Sequence, residues 1–130
     1  MSNRQKYLLI STVSLFLGGL CYILLRSDTY VSQIFCLHTI LNIQTCKFLC
    51  FYLPDFLWCV ALSMCLMWVY DPDFSGRTLC AGCAFVCGCI WELLQYIGPV
   101  GGTADLLDIA MYLLASISAT LLSGKVRNET

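Results

Sequence analysis

Apolar residues run along this chain in long blocks with short polar punctuation between them. From Tyr7 to Leu25 no charged residue interrupts. About 19 residues at a rise of 1.5 Å cover roughly 28 Å, enough to cross hydrocarbon. Blocks at about 53–70, 78–97 and 104–123 repeat the pattern. A cleaved signal peptide is the rival reading of the first block, but its apolar region would be shorter and would end at a small-residue cleavage site. Here Ile23, Leu24 and Leu25 carry the run onward, so an uncleaved first span is expected.

The punctuation fits. Pro54 suits the first turn of a second helix, where its missing N–H is no loss, and Asp55 beside it suits a positive helix end. Trp58 and Trp68 fall near opposite ends of that block, as interfacial aromatics do. Asp71 to Arg77 reads as a polar loop with turn chemistry. Gly98, Pro99, Gly101 and Gly102 end the third block, Thr103 is placed to cap the fourth, and Gly124 closes it. Small residues crowd the first half of the third block (Cys80, Ala81, Gly82, Cys83, Ala84, Cys87, Gly88), and Ala115 and Ala119 form a second seam. Such faces let helix backbones approach closely in lipid.

Residues 26–52 differ. Ile34, Leu37 and Leu41 recur at helical spacing, but Gln33, His38, Asn42, Gln44 and Lys47 interrupt them. An amphipathic segment lying at the interface is expected here. A fifth crossing is the alternative, and it would invert everything after it.

Composition agrees with lipid as the solvent: 59% of residues are hydrophobic and 12% charged, against about 25% charged in soluble domains. The expected fold is therefore all-α, a polytopic membrane bundle of four transmembrane helices, or five, forming one domain over residues 1–130. The seven Lys and Arg residues are scattered, so no nucleic-acid surface is expected. Most of the ten cysteines fall inside apolar blocks and read as small packing residues. Cys36, Cys46 and Cys50 lie in the more polar stretch, where a disulfide is the alternative. A zinc site wants converging ligands, usually with histidine, and the single histidine, His38, is remote from the cysteine-rich block. No metal, cofactor or catalytic residue is expected, since no nucleophile is paired with a base; an enzyme that uses Glu92 and Asp108 as acid and base on a lipid-linked substrate is the lesser alternative.

With four spans both termini share a side. Arg4, Lys6, Lys125 and Arg127 put that side in the cytoplasm, with Arg77 agreeing and Arg26 and Lys47 against. The acids then gather in the outer leaflet, where an ionised carboxylate costs several kcal/mol and is seldom present without a task. Glu92 and Gln95 share a helical face, and Asp105, Asp108 and Tyr112 form a ridge on the next span. Asp55 joins them from the second, as a helix-end group or a ligand. These six residues are the candidate ligand-binding or polar-core set, with Gln95 the expected hydrogen-bond partner of Glu92. Protonation or a bound cationic group would relieve the acids.

The order of these features (L-P-D-F-L-W, then E-L-L-Q closing a span, then G-T-A-D-L-L-D opening the last) resembles the VanZ-like family of small bacterial integral membrane proteins, over roughly residues 53–120. The resemblance implies a multi-pass protein of the bacterial inner membrane. Its namesakes are linked to low-level resistance to the glycopeptide teicoplanin. Glu92 and Gln95 match the family's E-x-x-Q, and Asp108 matches the acid opening its last helix. The chain departs where the family carries an arginine between those motifs, having Gly101 and Gly102, and again at Tyr112 and Ala115. An envelope precursor or a glycopeptide is the implied ligand, with a homo-oligomer or a membrane partner as further associations. The alternative is a small transporter or assembly subunit that uses its carboxylates for a cation or a proton.

Overall fold

The computed structural model describes residues 2–25, 47–70 and 73–128. Among them are four helices: α1 (Asn3–Leu25), α2 (Lys47–Tyr70), α3 (Phe74–Ile97) and α4 (Leu106–Asn128). All are long and apolar enough to cross a membrane, and no strand occurs among the described residues. The chain is an all-α bundle of multi-pass type.

Contacts fix the directions. Arg4 Nε donates to the Trp68 carbonyl, Ser11 Oγ to the Ala61 carbonyl, and the Tyr22 ring lies 5.6 Å from that of Trp58. Positions on α2 fall as those on α1 rise, so the two helices are antiparallel. The end of α1 and the start of α2 therefore lie at the same end of the bundle. The alternative of a fifth crossing falls on residues 26–46, outside the described residues. Residues 26–46 of the expected interfacial segment, with Cys36 and Cys46, lie outside the described residues, while residues 47–52 belong to α2 instead. Ser116 Oγ donates to the Ala81 carbonyl, which with the Glu92–Tyr112 contact makes α3 and α4 antiparallel as well.

Helix α2 packs against the other three. The interior is built of small and flexible residues: Ala115, Ala119, Met64 and Met67 are completely buried, with Ala81 and Ala84 nearly so. Buried serines bond to carbonyls, as Ser63 does to Cys59 and Ser123 to Thr120. Meanwhile Leu9, Leu15, Phe16, Leu114 and Leu121 point outward. Large apolar groups outside and small or hydroxyl groups inside is the arrangement expected where lipid surrounds the helices and close packing holds them.

Helix boundaries depart from the sequence expectation in three places. Helix α2 begins at Lys47, so Pro54 lies inside it rather than in its first turn, and the carbonyl four residues earlier loses its usual partner. Helix α3 begins at Phe74, because the Asp73 carboxylate accepts from the Gly76 N–H at 2.8 Å and caps it; Arg77 is thus helical, not in a loop. Helix α4 is capped by Asp105 rather than Thr103, and it runs through Gly124 to Asn128. Gly98, as expected, closes α3 in a left-handed conformation, φ 96°.

Candidate functional site

The end of α1, the start of α2, the end of α3 and the start of α4 meet at one end of the bundle. Between them is a cavity of about 410 Å³. Its wall takes Asp55 from α2, Glu92 and Gln95 from α3, Asp105 from the α4 cap and Asp108 from the first turn of α4. Tyr22, Tyr52, Trp58 and Trp91 complete it, with Gly101, Gly102 and Thr103 at the turn. Five of the six candidate residues therefore line one space, and Tyr112 stands directly behind Glu92.

Glu92 is the deepest acid, 4% exposed. Its Oε1 accepts from the Tyr112 hydroxyl at 3.2 Å, and its Oε2 accepts from the Asp105 backbone N–H at 3.2 Å. Both donors are neutral. The Tyr112 ring reaches Glu92 across Gly88: a Cβ at position 88 would stand 2.6 Å from Tyr112 Cδ2. A residue with no side chain at this crossing is what lets the last helix deliver its phenol to the third.

The expected Glu92–Gln95 hydrogen bond is replaced by this cross-helix contact. Gln95 instead packs its amide against Gly102, which has φ 138° and no room for a side chain, since a Cβ there would meet Gln95 Nε2 at 2.8 Å.

Asp105 does three jobs. Its Oδ1 accepts from the Leu107 N–H at 3.0 Å, its carbonyl accepts from the Asp108 N–H, and its Oδ2 accepts from the Tyr52 hydroxyl at 2.8 Å. The first is a helix cap; the last ties α4 to α2. The Leu107 N–H, followed by the Tyr52 hydroxyl, holds the Asp105 carboxyl below its ordinary value near 3.8. Together these bonds form a chain, Tyr112–Glu92–Asp105–Tyr52, that crosses α4, α3 and α2.

Asp55 is not a helix-end group. It lies more than two turns into α2, beyond the first turn over which the helix dipole acts, and it faces the cavity with Asp108. The aromatic half of the wall was not foreseen. Trp58 reads in sequence as an interfacial residue, although Tyr52 and Asp55 stand three apart on one helical face, a spacing that would have paired them. Carboxylates beside exposed indole and phenol faces form an environment suited to cations, which are drawn both by the negative charge and by the ring quadrupoles. Among the described residues no group of three or more His, Cys, Asp or Glu is placed to hold a metal ion. No known protein family, curated protein or solved structure matches this chain significantly.

Proposed function

We propose that this protein binds the cationic group of a ligand, an amine or quaternary ammonium, in the acidic and aromatic cleft at one end of the bundle. The observation that carries the reading is the convergence of Asp55, Glu92, Asp105 and Asp108, from three helices and a cap, on one cavity of about 410 Å³ walled by Trp58 and Trp91. Gathering carboxylates beside a low-dielectric wall builds a negative potential that an incoming cation relieves. By the positive-inside bias of Arg4, Lys6, Arg77 and Lys125, the cleft faces away from the cytoplasm. The ligand is then an envelope component or an amine-bearing glycopeptide of the teicoplanin type, as the VanZ-like resemblance implies for a protein of the bacterial inner membrane.

A cleft is better supported than a transport path. The four acids of the cleft all lie at one end, and the other end of the bundle packs tightly around Arg77, Ser123 and Val126.

The test is calorimetric titration of teicoplanin, and of its N-acetylated form, into the protein in lipid nanodiscs. Binding of the amine form alone is expected, weakened about tenfold or more by the Glu92→Gln, Asp108→Asn double substitution, the scale of a lost charged contact. Unchanged affinity and unchanged glycopeptide susceptibility of cells carrying the double variant would overturn the reading.

A further inference from the structure

The opposite end of the bundle holds a charged group that the cleft does not use. Arg77, in the first turn of α3, is 5% exposed. Its guanidinium lies over the Phe74 ring, 5.3 Å from the centroid, and Nη1 sits against α4 at Gly124. Nε and Nη1 are sealed from solvent and find no hydrogen-bond acceptor among the described residues. The nearest acid in the described sequence, Asp73, spends its carboxylate on the Gly76 N–H. Arginine cannot escape burial by losing its proton, so these donors call for an acceptor that no described residue supplies.

An apolar groove begins one residue beyond. It has a volume of about 290 Å³, lies between α3 and α4, and is open along its length. Thr78 and Leu121 stand at the Arg77 end, with Ala81 and Ile117 next and Phe85 and Leu113 further into the membrane. Gly82 lines it too, with nothing within 4 Å of where a Cβ would stand. Arg4 and Lys125 lie at the same end of the bundle, and so does the positive end of the α3 dipole.

We infer that Arg77 and the α3–α4 groove form a binding site for an anionic phospholipid, with the phosphate on the guanidinium and one acyl chain along the groove. A phosphate presents several acceptor oxygens to a forked donor and pairs with arginine through two parallel bonds. The long arginine stem lets the head turn out toward the groove mouth without a backbone shift, exchanging the Phe74 ring for the phosphate. The hydroxyl of exposed Thr78 is at hand beside it. This site stands apart from the acidic cleft and does not depend on what the cleft binds.

The test uses the full chain, delipidated in mild detergent. Thermal unfolding is followed with added phosphatidylglycerol, phosphatidylcholine or inorganic phosphate, and bound lipid is counted by native mass spectrometry. Phosphatidylglycerol alone is expected to raise the melting temperature and to stay bound. Arg77→Gln should weaken that binding about tenfold or more. Gly82→Phe, whose Cβ has nothing within 4 Å and whose ring would occupy the groove, should reduce lipid retention with Arg77 intact, and it decides the matter if Arg77→Gln does not fold. An arginine with only a packing role would lose the same stability in every lipid, which overturns the proposal. Equal stabilisation by phosphatidylcholine overturns it also, as does an equal effect of inorganic phosphate, which would mark a free-anion site. Lipid retention unchanged in Gly82→Phe, or a lipid-free dimer in the mass spectrum, does the same.

Discussion

Tyr112 delivers its hydroxyl to Glu92 from the neighbouring helix, at 3.2 Å, over Gly88 of α3, which has no side chain to stop it. The buried carboxylate, the phenol and Gly88 are thus one unit, although they are spread over 25 residues of sequence. Gly88→Ala tests the unit directly. The new methyl would meet the ring at 2.6 Å, and overpacking of this kind costs about 1–3 kcal/mol. Gly82→Ala, where nothing lies within 4 Å, should be neutral or stabilise by up to about 1 kcal/mol through helix propensity. Unfolding of both variants in the same detergent separates the two effects; equal stabilities would mean that Gly88 is not the constraint.

Glu92 itself should divide structure from binding. Glu92→Gln keeps an oxygen to accept from the Asp105 N–H, and its NH2 can donate to the Tyr112 hydroxyl, which serves as acceptor as well as donor, while the charge is removed. Its melting temperature should stay near that of the parent while amine binding falls. Glu92→Ala leaves both donors without an acceptor in a site where Glu92 is 4% exposed, costing about 1–3 kcal/mol of stability. If the glutamine variant binds teicoplanin as tightly as the parent, the charge at position 92 is not what the ligand sees.

Asp105 predicts an acid-sensitive end to the bundle. Its folded carboxyl is held below the ordinary value near 3.8 by the Leu107 N–H and the Tyr52 hydroxyl. A depressed folded pKa stabilises the native state above the unfolded value, and that contribution is lost as pH falls through the folded value. Stability should therefore decline below about pH 4, and Asp105→Asn should lose part of that decline while weakening the α4 cap. An acid unfolding profile identical in parent and variant would show that the carboxyl is not linked to folding.

How far the sequence carried this picture depends on the signal each feature leaves. The four spans were legible because apolar blocks of membrane length have few other uses, and the acids stood out because carboxylates in such blocks are rare. Their convergence followed from connectivity alone. The start of α2 was misplaced because Pro54 looks like a first-turn proline, when six residues of K-F-L-C-F-Y and Leu53 precede it in the helix. Arg77 read as loop because D-P-D-F-S-G is turn chemistry, yet Asp73 ends the turn by capping α3 and carries the arginine into the packed interior. Glu92 was given Gln95 as a partner by spacing along one helix, while the true partner crosses from another. Contacts between helices depend on which small residue faces which ring, and periodicity within a helix does not encode that.

The orientation of the bundle is the last prediction, and it bears on every other. Arg4, Lys6, Arg77, Lys125 and Arg127 fall at the start of α1, the start of α3 and the end of α4, five of the seven basic residues at one end. The positive-inside rule predicts that end in the cytoplasm and the cleft facing outward. Thr103 borders the cleft and is exposed, and Ser75 is exposed at the far end. In a cysteine-free background, Thr103→Cys should react with a membrane-impermeant thiol reagent on intact cells, and Ser75→Cys only after permeabilisation. That background must be built with care at Cys59, whose buried Sγ lies 3.6 Å from the Tyr112 carbonyl and 3.7 Å from Ser116 Oγ; serine there keeps a donor where cysteine had one, whereas Cys83 and Cys87 are exposed and can be replaced by alanine. Labelling at 75 alone would turn the acidic cleft toward the cytoplasm. An envelope ligand would then be untenable, the cationic ligand would have to be sought inside the cell, and the Arg77 lipid site would belong to the outer leaflet.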